Sequence, residues 1–434
     1  MAGRAETTGA LPTPKTPCVQ HRRRQPAPRP GGDRSGRRPL VARTTIRCRG
    51  PAAKLDRPLS SCRAPAPAPH RYPPPSRNPR HPPERGTNVP SPGPAVIELR
   101  THDDLQAGGE RSAWDLLLDE DPDATVFHTP RYLDAWYRTF GGTTAIRVHT
   151  VHSDGRLIGV IPDANDRQGS AGGPEEIRRF QGGTEVTDYL GPISRPEDRF
   201  DVASAYVDHL AGDVDWDEFV AGGLPVDSRW PEAFRRALAA RELTIIEDSR
   251  EDVCPRVALG GDHDEVLARL PGRLRQELIR KTRKLARDAG ELELVQVPAG
   301  EVVDRLDAFL DQAAESFPDK AGFFQRPDMH TWFRTLAEEF VAEDIFRLHE
   351  LHVGGLPAAS TVSLVHRGTW GLYNSAFDPT LASFAPGVVM VHLLIGEASD
   401  QGQQVFDLLR GDEPYKYRYG ASDRVLERLV VRRS

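Results

Sequence analysis

TWGLYNSAFDPTLASFAPGVVMVHLLIGEASDQGQQVFDLLRGDEPYKYRYG, residues 369–420, decides how the fold is read. It gives a strand at Thr369–Phe377, a loop at Asp378–Pro386, a helix at Gly387–Asp400 and a strand at Gln404–Leu409. RGDEPYKYRYG at 410–420 follows. Such a strand-loop-helix-strand suits a nucleotide-bearing cofactor. The first N–H groups of a helix lack intrahelical partners and carry partial positive charge, so a pyrophosphate can sit there. Ser383 and Gly387 suit that task, because serine caps or donates and glycine lets backbone approach a ligand. Ordinary helices also begin with Ser, Pro and Gly, so both readings stand on these residues alone.

Working outward, the pattern from Ala95 onward is that of an α/β protein. Arg347–Val353, Gly354-Gly355 and Ala358–Val365 read as a hairpin, and the turn at Arg367-Gly368 leads into Thr369–Phe377. Helices are expected at Val302–Ser316 and Pro327–Val341, a basic helix at Arg273–Asp288 and a strand at Leu292–Val297. Further upstream, Trp114–Leu118 belongs to a helix. Thr129 caps another, with Pro130 at its first position and Tyr132, Trp136 and Phe140 on one face. Ile146–Val151 and Leu157–Ile161 flank Asp154-Gly155, a strong hairpin signal. Helices at Pro196–Leu210 and Pro231–Arg241 and strands at Glu218–Val220 and Leu243–Ile246 complete the first half. VHSDGRLIGV at 151–160 and LHVGGLPAAS at 351–360 occupy equivalent places, a weak repeat suggesting two related units at 96–250 and 251–434.

Residues 1–95 are a different material. They hold 21 of the 38 prolines and 19 Lys/Arg against 4 Asp/Glu, from chain totals of 57 and 63. The remainder is therefore acidic. Without periodic apolar residues the segment cannot offset the entropy of ordering, so it is expected to be disordered. Its bias fits a basic tail, a targeting segment, or an upstream stretch with the true start nearer Val89. The last is favoured on composition. No run approaches the roughly 18 apolar residues that span a bilayer, and no signal peptide is seen. Of Cys18, Cys48, Cys62 and Cys254 only the last lies in the folded part, so neither a disulfide framework nor a zinc spacing exists. A reducing cytoplasm fits, and no metal is expected. Walker, GxGxxG, HExxH and nucleophile-elbow patterns are all absent.

Ala376–Gly420 resembles the C-terminal signature of the CelD/BcsL-type acetyltransferase family of GNAT proteins. The matching pieces are Phe377-Asp378-Pro379, Pro386-Gly387, Phe406-Asp407, Arg410-Gly411-Asp412 and Tyr415-Lys416. FHTPRYLDAW, GGTEVTDYLGP and the basic helix RLRQELIRKTRKLARDAG resemble other parts of that family, so the likeness covers about residues 110–425. The loop at 383–387 departs from the usual GNAT phosphate loop, which is richer in Gly and Arg. The resemblance implies tandem GNAT domains with mixed sheets flanked by helices, distantly similar to Fem-type peptidyl transferases. It implies an acyl-CoA substrate, acetyl-CoA or another. Its pantetheine would lie between two splayed parallel strands, by position Thr369–Phe377, with Tyr373, Asn374 and Ser375, and Gln404–Leu409. Ser383, Pro386 and Gly387 would serve the phosphates, and Arg410, among the cofactor-binding candidates, would stabilise negative charge, anchor a phosphate or bind an anionic substrate.

Direct attack on the thioester needs a base, an oxyanion stabiliser and protection of the departing thiolate. Asp407, Asp412 and Glu413 are carboxylates placed for the base. Tyr415 suits proton donation to the thiolate, and Lys416 suits stabilising negative charge or anchoring a phosphate. Each has a plainer alternative: Arg410 pairing with Asp412 to fix the turn, Tyr415 as a core aromatic, Lys416 as a solvated strand residue. Asp188 and Tyr189, in TDYLGP, either face the acceptor as substrate-binding residues or form an ordinary strand end. In the basic helix Arg273, Arg280, Lys284 and Arg287 share a face. That face suits the 3′-phosphate of coenzyme A, a polyanionic acceptor, a tRNA, or plain solvent. The expected function is acyl-CoA-dependent N- or O-acyl transfer to a small polar or cell-envelope/exopolysaccharide precursor. A Fem-like aminoacyl-tRNA-dependent transferase and a non-catalytic polysaccharide-biosynthesis subunit are the alternatives. The acidic balance of 96–434 argues against nucleic acid.

Overall fold

Three two-residue turns set the sheet. Asp154-Gly155, Gly354-Gly355 and Arg367-Gly368 all take positive φ (49° and 79°, 60° and 86°, 51° and 79°), the conformation that matches the right-handed twist of the strands it joins. The computed structural model describes residues 43–45 and 95–433, apart from 143, 145, 168–175 and 184. The disorder expected of residues 1–95 thus falls outside the described residues except at 43–45 and 95. Arg43–Thr45, strand β1, pairs with the sheet edge, which the composition of that segment did not suggest.

In the first half β2 (Ile97–His102) is followed by helices α1 (Arg111–Glu120) and α2 (Pro130–Phe140). Strands β3 (Ile146–Ser153), β4 (Arg156–Arg167), β5 (Glu176–Phe180) and β6 (Ile193–Ser194) come next. Then follow α3 (Arg199–Gly212), β7 (Glu218–Pro225), α4 (Trp230–Ala240) and β8 (Thr244–Ala258). The second half repeats the order. Helices α5 (His263–Arg269) and α6 (Gly272–Asp288) lead to β9 (Leu292–Gln296), and then to α7 (Val302–Ser316), α8 (Ala321–Phe324) and α9 (Pro327–Phe340). Strands β10 (Phe346–Val353), β11 (Leu356–His366) and β12 (Thr369–Phe377), helix α10 (Pro386–Asp400), β13 (Val405–Asp407) and β14 (Ser422–Arg432) close the chain.

Among the described residues fourteen strands form one mixed sheet, ordered β1-β9-β10-β11-β12-β13-β8-β14-β7-β5-β4-β3-β2, with β6 beside β4. The two hairpins of the weak repeat occupy corresponding places, and both carry a register shift at the corresponding pair, Val151/His152 and Leu351/His352. The centre is an exchange. β8 ends the first half, yet its tip pairs with β13; β14 ends the chain, yet it pairs with β7 and along most of β8. The boundary expected at 250/251 falls inside β8.

Helices cover both faces. On one, α1, α2, α7, α8 and α9 share a single core. There the aromatic stripe of α2 meets the second half: Trp332 lies 5.3 Å from both Tyr132 and Phe140, and Arg131 and Arg138 bind Glu339. The other face holds two cores, one under α3 and α4 and one under α5, α6 and α10.

Candidate active site

Strands β12 and β13 run parallel for three residue pairs, Thr369 with Val405, Trp370 with Phe406 and Gly371 with Asp407. There they part. β12 continues along β11 to Phe377, while the chain past Asp407 follows β8: the Leu408 N–H donates to the Pro255 carbonyl (2.9 Å) and the Gly411 N–H to that of Val253 (2.9 Å). The strand expected at Gln404–Leu409 is therefore cut short, because Leu409 takes a left-handed φ of 57°. Just past the fork β12 is bulged. Leu372 pairs with Ser363 and Asn374 with Val362, leaving Tyr373 as the extra residue, and bulges recur beside functional sites because they re-aim groups.

The first half has the same fork, but its own chain fills it. β5 and β7 pair in parallel only at Ile177/Glu218, Arg178/Phe219 and Arg179/Val220. The segment around Leu190 enters beyond them. Its N–H donates to the Gly223 carbonyl (3.3 Å), and a Cβ on Gly223 would lie 2.9 Å from that of Leu190, so this close approach requires glycine. The same segment reaches the second fork at its other end. The Tyr132 and Tyr373 hydroxyls both donate to the Val186 carbonyl (2.5 and 2.7 Å), and Thr187 Oγ1 donates to that of Gly182 (2.7 Å).

The second fork opens on a cleft of ≈ 440 Å³. Tyr373 and Asn374 of β12 line it, with Arg410 and Gly411 from beyond β13, Asp188 from the inserted segment, and Phe323 and Phe324 of α8. Asp188 accepts the Arg410 N–H (3.0 Å), and one Arg410 Nη donates to the Asp188 carbonyl (3.1 Å). Burial pushes the Asp188 carboxyl up to about 6, against the pull of Arg410. A carboxylate near that value at a cleft is suited to proton abstraction. Asp188, Arg410, Tyr373 and Asn374, drawn from distant parts of the sequence, thus meet in one cleft.

The remaining candidates are arranged around it. Asp407 is fully buried, accepting from the Tyr189 hydroxyl (2.6 Å), Arg256 Nε (2.7 Å) and the Leu409 N–H (2.8 Å). Tyr189 is itself buried between the guanidiniums of Arg256 and Arg424, each 5.4 Å from its ring. Lys416 is buried too, which differs from a solvated strand position. It lies in a short 3-10 turn and its Nζ donates to the carbonyls of Leu409, Arg410 and Gly411 (2.9, 2.7 and 3.0 Å). Tyr415 packs against the core under α10, and burial raises its phenol. Asp412 is exposed, and Arg410 pairs with Glu251 (3.3 Å) rather than with it. Sequence reasoning missed Arg256 and Glu251. Both lie on β8, whose partners are more than 150 positions away, and no local pattern signals such pairs.

On the opposite face α10 begins where β12 ends. A Cβ on Gly387 would lie 3.7 Å from the Phe377 ring. No side chain caps α10: its N-cap is Ala385 in left-handed conformation (φ 55°), not Ser383, which is exposed in the preceding turn. Lys284 of α6 reaches that turn, 3.4 Å from the Ser383 carbonyl and 4.9 Å from the Phe384 ring centre. Arg273 and Arg280 are exposed, and Arg287, also exposed, pairs with Asp288.

Residues 272–417, about a third of the chain, match the family model described as an acetyltransferase (GNAT) domain. No curated protein matches the sequence. Among solved structures the chain is similar to FemX (12% identity, 73% of this chain and 95% of that one, TM-score 0.43). It is also similar to a conserved protein of unknown function from Bacteroides thetaiotaomicron (13%, 74% and 97%, 0.48). A tandem GNAT protein from the clavulanic acid biosynthesis pathway matches at 14% identity over 78% and 98%, with a TM-score of 0.42. Among the described residues no helix is long and apolar enough to cross a membrane.

Proposed function

We propose that the chain transfers an acyl group, acetyl in the first instance, from coenzyme A to a small polar acceptor in the cytoplasm. A cell-envelope or exopolysaccharide precursor fits the CelD/BcsL resemblance. The observation that carries the reading is the second fork, where β12 and β13 part after three pairs beside the α10 tip and open on the cleft. The pantetheine amides pair with the free edge of β12 as an added strand would. The phosphates sit at the uncapped α10 tip, with Lys284 beside it. The acceptor enters from the α8 face, so donor and acceptor meet through the sheet.

In this scheme Asp188 takes the proton from the attacking group, because it faces the cleft with a raised pKa. Asp407 and Lys416 position rather than react: one fixes Tyr189 and the turn at Leu409, the other clasps three successive carbonyls of that turn. Tyr415 supports the turn from the α10 side, and Asp412 lies outside the chemistry. Titration of the full chain with acetyl-CoA tests the reading. Micromolar binding with a raised melting temperature is expected, together with thiol release when an acceptor is added. The absence of any shift with a series of acyl-CoAs contradicts it.

A further inference from the structure

One end of the sheet is an open edge. Among the described residues β2 pairs with β3 and with no other strand. The Asp154 N–H donates to the Val96 carbonyl (3.0 Å), which puts that pair in the hydrogen-bonded class. Bonded and unbonded pairs alternate along an antiparallel ladder. Glu98 and Arg100 therefore turn their backbone groups toward β3, while Ile97, Leu99 and Thr101 turn theirs outward. Such a row of free N–H and C=O groups is a template for another strand. Charges of one sign along an edge repel a second copy. Here the signs alternate: Glu98 and Arg100 share a face, are both exposed and bind one another (3.1 Å). The opposite face of the strand is apolar. Ile97 and Leu99 line an open groove of ≈ 530 Å³ against α3, with Asp201, Ser204 and Ala205 on its helix side, where Asp208 is held by Arg241 (2.5 Å). Val96 and Ile97 stay exposed at this edge, at 70% and 37%.

We propose that this edge joins a second copy of the chain, β2 to β2, antiparallel about a two-fold axis at Leu99. Backbone and charge agree on that register. The outward groups at Ile97, Leu99 and Thr101 are centred on Leu99, so Leu99 meets the partner's Leu99 and Ile97 meets the partner's Thr101, each pair exchanging both of its hydrogen bonds. The same register sets Glu98 opposite the partner's Arg100, and the two-fold repeats that favourable pair. An axis at Glu98 or at Arg100 would instead place like charges face to face, which destabilises the pairing. On the other face the Ile97 and Leu99 side chains of both copies make one apolar row along the groove. The sheet then runs through both protomers. β2 ends the sheet several strands from β12 and β13, so each copy keeps its own cleft open. The dimer stands on this edge alone and is independent of the acyl-transfer reading.

Sedimentation equilibrium of the full chain, up to about 100 µM, tests it. A mass of twice the 48.0 kDa protomer is expected at the upper concentrations. Ile97→Pro removes an outward N–H and leaves the bonds between β2 and β3 in place. It should weaken the dimer about tenfold or more, because the two-fold counts the loss twice. Glu98→Arg sets like charges opposite one another and should weaken it by about tenfold, while Glu98→Arg/Arg100→Glu should recover the dimer. In the unmodified chain, amide exchange at Ile97, Leu99 and Thr101 should slow as concentration rises, a reading of the edge that needs no variant. A monomer over the whole range, a dimer indifferent to Ile97→Pro and Glu98→Arg, a double variant no tighter than the single, or exchange at these amides that ignores concentration overturns the proposal.

Discussion

At Asp188 two demands meet. As the base of the proposed scheme, its carboxylate must stay close enough to Arg410 to be held, and shielded enough from water to keep a proton affinity useful near neutrality. A base works deprotonated, so kcat at saturating substrates should rise with pH through about 6 and level off above it. Asp188→Asn should lower kcat by about 10²–10⁴-fold and remove that limb, with coenzyme A affinity unchanged. Stopped assays from pH 5 to 9 check both outcomes. The buried pair beside it behaves differently. Arg256→Met leaves Asp407 buried without its cation, which should cost about 3 kcal/mol of unfolding free energy, read by urea denaturation. Asp188 and Arg410 were singled out in sequence through TDYLGP and the 410–416 run, and the structure brings them together at the cleft. Arg256 was not, since its carboxylate partner lies 151 positions ahead.

Among the elements, the segment inserted into the first fork is the one that sets the site. It closes one slot and delivers Asp188 to the other, so under the proposed scheme its seating sets the rate and leaves donor binding alone. Gly223 sits at φ 70° with Leu190 pressed against it. Gly223→Ala should therefore cost about 2 kcal/mol and lower kcat more than it weakens coenzyme A binding, a split visible in paired kinetic and binding measurements. Elements with strong local signals were legible: the three turns, the Thr129-Pro130 start and α10. Thr129 Oγ1 does accept from the Tyr132 N–H (3.2 Å). Two central strands were not. Most of β8, TIIEDSREDVCPRVA, reads as polar loop because its backbone is stabilised by β14 and β13 rather than by burial of its side chains. SDRVLERLVVR of β14 lacks a clean alternation, and its partners lie far upstream.

For the whole molecule, the exchange of β8 and β14 ties the halves into one sheet. Neither half keeps its last strand to itself, so they should unfold together. Fluorescence from Trp114, Trp216, Trp230, Trp332 and Trp370, buried in both halves, and far-ultraviolet circular dichroism should report coincident transitions. Truncation after Gly420 should abolish folding of the first half as well as the second. Two separate transitions would contradict this. The repeat itself was legible from two hairpins; the swap was not, because a sequence repeat carries no record of which copy a terminal strand joins.

In the proposed scheme the second fork, and not the first, receives the pantetheine arm. Hydrogen exchange of the full chain with and without coenzyme A distinguishes the two. Slowed exchange confined to Leu372–Phe377 and the first turn of α10, with β5 and β7 unchanged, is the predicted result. Protection at Glu176–Phe180 and Ala221–Pro225 instead, or no protection along β12, would contradict it.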